Sequence, residues 1–174
     1  MNAAFPSSAP KVAVVVLNYR NFADTVACLR PLAAATYPRL EIIVVDNDSQ
    51  NDSLARIRAE LGWNPADCPT VAEADLARAA SLPGSRHFVQ AARNRGYAAG
   101  NNLGLRLALQ RGCDYALVLN NDTEVRPAFL EPLVAHAEAH PELAGVGPKI
   151  LNPAGRVEPH CARRRPDLGF YFFS

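Results

Sequence analysis

Side chains able to do chemistry gather at the ends of apolar runs in this sequence. Asn120-Asn121-Asp122 follows directly on Tyr115-Ala116-Leu117-Val118-Leu119. A carboxylate beside two carboxamides is a set of hard oxygen donors, suited to a divalent cation. Taken alone, the same residues also make an ordinary Asn/Asp-rich turn. Asn18-Tyr19 closes a second apolar run and Asp46-Asn47-Asp48 a third. A fourth stretch, Arg93-Asn94-Arg95-Gly96-Tyr97-Ala98-Ala99-Gly100-Asn101-Asn102, carries glycines that let backbone approach a ligand closely. It leads into a helical pattern, and a helix N-terminus favours an anion. It has neither the phosphate-loop nor the G-x-G-x-x-G spacing, so the signal is weak by itself.

The elements that must position these groups read as alternating strands and helices. Lys11–Leu17 and Leu40–Val45 are near-continuous β-branched runs, the pattern of strands buried on both faces of a parallel sheet. The run 115–119 reads as a further buried strand, His87–Ala91 as a weaker one, and Ala144–Leu151 as a fifth. Helical spacing predicts Phe22–Ala35 with Asn21 as N-cap and Pro31 near its end, then a helix from about Ser49 to Leu61. Ala99–Gln110 and Ala128–His140 follow, with Gly112 as a stop and Pro127 and Thr123 as start signals. Residues 62–85, rich in Pro and Gly, read as an inserted surface segment with a short helix at Val71–Ala80. The order is strand–helix–strand–helix, hence an α/β fold with a mostly parallel sheet flanked by helices.

The chain has 174 residues, enough for one domain with a sizeable core. Its net charge of +1 argues against a nucleic-acid binder, which needs a strongly basic surface. The run Arg163-Arg164-Arg165 reads as a solvated turn or a contact for an acidic membrane surface. The four cysteines, Cys28, Cys68, Cys113 and Cys161, form no C-x-x-C pair, which argues against a structural zinc site. His136 and His140 stand four apart on a helix, without a third ligand, and read as an unligated pair. Residues 1–10 look like a flexible lead without signal-peptide character, so the expectation is a reduced, cytoplasmic protein with free thiols.

In a parallel sheet the clusters at 18–19, 46–48 and 120–122 fall on one edge. An aromatic ring, two separate carboxylates and a cation site on one edge suit a nucleotide diphosphate. Tyr19 could pack on a base, Asp46 could accept a hydrogen bond from base or ribose, and Asp122 could hold a cation against the diphosphate.

Four stretches then carry a family resemblance: Val12–Tyr19, Val44–Ser53, Asn94–Gly104 and Leu119–Thr123, with Thr36-Tyr37-Pro38 and Gly147-Pro148-Lys149-Ile150 as minor matches. The chain resembles the nucleotide-sugar-dependent family 2 glycosyltransferases of the GT-A fold, particularly the bacterial branch that includes rhamnosyltransferases. The resemblance implies a Rossmann-like nucleotide-sugar-binding domain at 11–155 and the start of an acceptor-side region at 156–174. It implies substrate contacts from Asn18, Tyr19, Asp46, Arg95, Gly100, Asn101 and Asn121. It implies Mg2+ or Mn2+ held by Asp122 with Asn120, and inverting transfer from a UDP- or dTDP-sugar to a glycan or lipid-linked hydroxyl. Cell-wall or polysaccharide synthesis, no nucleic-acid partner, and a cytoplasmic location with peripheral association at the inner membrane face belong to the same expectation.

Two departures from the family pattern stand out. Asn120 replaces the first Asp of D-x-D, giving a neutral, weaker ligand. The family's general base lies well beyond the metal segment, and of the acids past the fifth expected strand, Glu158 and Asp167, neither matches its motif. The chain therefore resembles the donor half of a longer enzyme, with a non-catalytic nucleotide-sugar-binding module as the alternative. A nucleotidyltransferase fits less well, because Asn18-Tyr19-Arg20-Asn21 stands where that class carries a glycine-rich basic loop.

Overall fold

The computed structural model describes residues 9–152 and 154–158. The chain divides into two compact units, Met1–Glu131 and Pro132–Ser174. The first unit holds a sheet of five strands: β1 (Val12–Asn18), β2 (Leu40–Asp46), β3 (Thr70–Ala72), β4 (Arg86–Gln90) and β5 (Tyr115–Asn120). All pairings are parallel, in the order β3-β4-β2-β1-β5. The helices are α1 (Phe22–Ala33), α2 (Ser53–Leu61), α3 (Tyr97–Gln110) and α4 (Leu130–Ala139), with a 3-10 helix at Glu73–Ser81.

The β-branched run of β1 is buried at every position. That is the physical outcome of a central strand covered on both faces. Ala13, Val15 and Leu17 point to the layer formed by α3 and the 3-10 helix, where they meet Ile43, Val45, Val89, Leu103 and Leu107. The alternate residues Val12, Val14 and Val16 are equally buried, as are Leu29 and Leu32 of α1 and Ile57 of α2. Helix α3 lies unusually close to the sheet. A Cβ on Gly104 would stand 2.4 Å from Val15 Cγ1, and one on Gly100 2.6 Å from Leu17 Cδ1. Glycine at these positions allows the approach, at some cost in helix propensity.

At the amino end of the strands sits a buried charge cluster. Glu41 is 3% exposed. It pairs with Lys11 Nζ at 2.7 Å and with the Arg111 guanidinium. Arg111 also donates to the carbonyls of Leu82 and Gly84 at 2.9 and 2.8 Å, stitching the end of α3 to the loop before β4. The cations hold the Glu41 carboxyl below its ordinary range against the opposing cost of burial.

Several elements depart from the sequence expectation. Residues 144–150 form no strand; Gly145, Gly147 and Pro148 weaken any ladder there. What remains is one antiparallel bridge, Leu151 to Val157, closing a turn at Gly155, whose φ is +75°. The fifth strand is instead Thr70–Ala72, within the segment expected to be a surface insertion. That segment buries Cys68, Val71, Leu76 and Ala79, and the short helix expected at 71–80 is present as a 3-10 helix at Glu73–Ser81. Among the described residues β5 is an edge strand, not a fully buried one: Ala116, Val118 and Asn120 are exposed. Helix α3 begins at Tyr97, two residues before the expected start, and α4 begins at Leu130, beyond Pro127. Cys28, Cys68 and Cys113 are free thiols. The His136 and His140 rings meet tilted at 45°, with centroids 4.5 Å apart, and His140 pairs with Glu142 at 3.1 Å. Arg163–Arg165, Cys161 and Asp167 lie outside the described residues. Among the described residues no helix is long and apolar enough to cross a membrane.

Candidate functional site

The strand order places the site. The chain builds β2 and β4 on one side of β1, then crosses to lay β5 on the other. The reversal falls between β1 and β5, and open parallel sheets bind ligands at such a switch point, outside the carboxyl ends of the strands. The register sets Asn18 beside Asp46 and Leu17 beside Asn120. Three clusters read from the sequence therefore share one lip.

A hydrogen-bonded chain runs along that lip. Asn121 Nδ2 donates to Thr25 Oγ1 at 3.0 Å, and the Thr25 hydroxyl lies 2.8 Å from Asn18 Oδ1. Asn18 Nδ2 donates to Asp46 Oδ1 at 2.7 Å. Asp46 also accepts from Ser49 N and Gln90 Nε2, each at 3.0 Å, and from Ser49 Oγ at 2.5 Å. Asn18, Thr25 and Asp46 are buried. A carboxylate can be kept out of water here because donors satisfy both of its oxygens. The network ties α1, β1, β2, β4 and the segment after β5 into one rim. Asn21 opens α1 as expected, its Oδ1 accepting from Asp24 N at 3.4 Å, and so delivers Thr25 to the centre of the chain.

The open part of the lip lies around this rim. Tyr19 is 43% exposed, with the Arg20 guanidinium 5.1 Å from its ring centroid. Arg20 has a φ of +63°, a backbone conformation that side-chain-bearing residues seldom take. Asn120 and Asp122 are exposed at the end of β5. The Asn120 amide oxygen accepts from Tyr97 Oη at 2.7 Å. Just behind, Cys28 Sγ is 3.6 Å from the Asn120 carbonyl. Burial pushes the Cys28 thiol up to about 11, and the negative charge of Asp122 adds to the shift.

The remaining expected residues sit differently. Arg95 is half-exposed on the loop after β4 and pairs with Glu73. Glu73 also accepts from Ala92 N at 2.9 Å, so one carboxylate shapes that loop. Gly100 and Asn101 are buried. Gly100 faces Leu17 and Asn47, and Asn101 is 4% exposed with Nδ2 on the Tyr97 carbonyl at 3.0 Å. Close packing of α3 on the sheet turned them inward. Sequence reading gave no site role to Thr25, Ser49, Gln90, Glu73 or Tyr97. Tyr97 carried a signal, an aromatic between two glycines of a loop already singled out; Thr25, Gln90 and Glu73 carried none.

The lip fits a divalent cation as a partial donor set. Asp122 offers an exposed carboxylate, and Asn120 an amide oxygen with a second lone pair. Among the described residues no three His, Cys, Asp or Glu side chains form a complete cage. Mg2+ and Mn2+ sites next to phosphate groups need only one or two protein carboxylates, the phosphates and water supplying the rest.

The family model described as Glycosyl transferase family 2 matches residues 13–167. No curated protein matches the chain. Among similar solved structures is S. aureus TarS 1–349, at 18% identity and a TM-score of 0.52, covering 75% of this chain and 33% of that one. The same protein in complex with UDP-GlcNAc gives 19%, 0.52, 75% and 32%. A mannosyltransferase, PcManGT from Pyrobaculum calidifontis, in complex with GDP-Man and Mn2+, gives 22%, 0.50, 68% and 29%. These likenesses establish the Rossmann-like GT-A fold, and the chain spans about a third of the length of the structures it matches.

Proposed function

The chain belongs to glycosyl transferase family 2, and on that premise we propose that it is the donor-binding portion of a metal-assisted glycosyltransferase. Its donor is a nucleotide-diphosphate sugar of the UDP or dTDP class, whose sugar passes with inversion to a hydroxyl of a glycan or lipid-linked acceptor while the nucleoside diphosphate leaves. Residues 11–155 form the donor half, and 156–174 begin the acceptor side. A cytoplasmic location with peripheral membrane association belongs to the same proposal.

The observation that carries this reading is the hydrogen-bonded rim from Asn121 through Thr25 and Asn18 to Asp46, with exposed Tyr19 and Asp122 beside it. The rim is rigid and satisfied; the groups beside it are free to meet a ligand. Tyr19 offers a ring face for the base. Asp122 and Asn120 would hold Mg2+ or Mn2+, which offsets charge on the departing diphosphate. Asp46 supports the nucleoside end indirectly, by holding Asn18 and Ser49 in place. Arg95 adds positive charge near the diphosphate once released from Glu73.

The test is calorimetric titration of the chain with UDP and with dTDP, with and without Mn2+. The expected result is cation-dependent binding that Asp122→Ala abolishes while the circular dichroism spectrum is unchanged. Equal affinity of the wild-type and Asp122→Ala chains in Mn2+ would remove the metal assignment.

A further inference from the structure

Tyr97 plays no part in the reading above, yet it is the residue that meets Asn120. We infer that Tyr97 is a positioning residue for the cation site, its hydroxyl partnering the Asn120 carboxamide in either orientation and so setting cation affinity. The inference rests on the proposed function and deepens it.

Tyr97 occupies the first turn of α3 and is 55% exposed. Its placement is built in from several sides. Gly96 precedes it at φ +89°. Asn94 Oδ1 accepts from Gly96 N at 2.8 Å and from Asn47 Nδ2 at 3.0 Å. The Tyr97 carbonyl is held by Asn101 Nδ2 at 3.0 Å. These bonds fix the backbone from which the ring reaches across to β5, where its Oη lies 2.7 Å from Asn120 Oδ1. An exposed tyrosine hydroxyl does not need a protein partner, since water would serve. The bond therefore matters for what it does to Asn120.

The chemistry follows from the two ends of a carboxamide. Its oxygen accepts and its nitrogen donates, while a phenol hydroxyl does both. In this structure the oxygen faces Tyr97. There it can share its two lone pairs between the hydroxyl and a cation; turning the amide over would give the oxygen wholly to the cation, and the nitrogen would then donate to the same Tyr97 oxygen. Tyrosine supports both settings, and phenylalanine supports neither. A carboxylate is alike at its two ends. With Asp at position 120 either oxygen could serve the cation, and the hydroxyl would lose its orienting role. Tyr97 thus compensates for the neutral Asn that replaces an acidic ligand.

That contrast is the test. Mn2+ binding to the full 174-residue chain is measured in the presence of UDP, by electron paramagnetic resonance of free Mn2+. The variants are Tyr97→Phe, Asn120→Asp and the double substitution. Tyr97→Phe should weaken Mn2+ binding roughly three- to ten-fold, the worth of one hydrogen bond. In the Asn120→Asp background the same change should alter binding less than about two-fold, a coupling that a purely structural role would not produce. Thermal melts should coincide for wild type and Tyr97→Phe, because the ring is half in solvent. Unchanged or tighter binding by Tyr97→Phe would overturn the inference alone, as would an equal loss in both backgrounds. Failure of the wild-type chain to take up Mn2+ with UDP would overturn the proposed function and this inference with it.

Discussion

Replacing His87 by Leu should make the fold markedly less sensitive to mild acid. His87 is fully buried on β4, with Nδ1 3.7 Å from Glu41 Oε2, beyond hydrogen-bonding distance. Burial, and then the positive charge of Arg111, depress its imidazole from 6.5 to about 4, outweighing the opposite pull of Glu41. The folded protein therefore refuses a proton that the unfolded chain accepts. Stability from this source is intact above pH 6.5 and falls as pH drops from there towards 4. Binding one proton with those two constants gives a loss of about 2 kcal/mol between pH 7 and pH 5. Glu41 shifts the other way relative to its own ordinary value. Its depressed carboxyl stabilises the fold above 4.5 and loses that effect only below it, outside this window. Urea unfolding of wild type and His87→Leu at pH 7 and pH 5 separates the effects. Wild type should lose about 2 kcal/mol more than the variant over that interval. Equal losses in both would mean that His87 is protonated in the folded state beside Glu41, and the argument from burial would be refuted.

Two further outcomes follow from the packing of the site. Gly104→Ala gains about 1 kcal/mol of helix propensity. It also drives a methyl to 2.4 Å from Val15 Cγ1 and 3.1 Å from Val45 Cγ2, side chains of central strands that cannot swing aside. Overpacking of this kind costs about 1–3 kcal/mol, so the net should be destabilising, read as a lower urea midpoint; an unchanged or raised midpoint would show that α3 can lift from the sheet. Thr25→Val keeps the shape but leaves the Asn18 amide oxygen without the Thr25 hydroxyl 2.8 Å away and the Asn121 amide without its acceptor. A loss of about 1–3 kcal/mol is expected, together with weaker UDP binding, since Asn121 precedes Asp122; full affinity in a folded Thr25→Val chain would mean the rim does not organise the cation segment.

The alternation of apolar runs and helical periodicity was enough to place β1, β2, β4, β5, α1 and α3 within a few residues, because those elements bury continuous faces whose pattern is local. It was also enough to place Asn18, Tyr19, Asp46, Asn120, Asn121 and Asp122 at one end of the sheet, because polar residues that follow the apolar runs of parallel strands all stand at the strands' carboxyl ends. Other features were decided only when the chain closed on itself. Thr70–Ala72 is too short to show a period, and it is a strand because β4 offers it an edge. Residues 144–150 look apolar enough for a strand, but the glycines and proline among them leave no ladder. Gly100 and Asn101 read as ligand groups, and the approach of α3 to β1 buries both, a placement that no local pattern announces. The order of the strands, invisible in any local window, put the reversal between β1 and β5 and so chose which polar clusters share a lip. Thr25, Gln90 and Tyr97 joined them for the same reason: a hydrogen-bond partner is fixed by distance in space, and sequence separation says little about that distance.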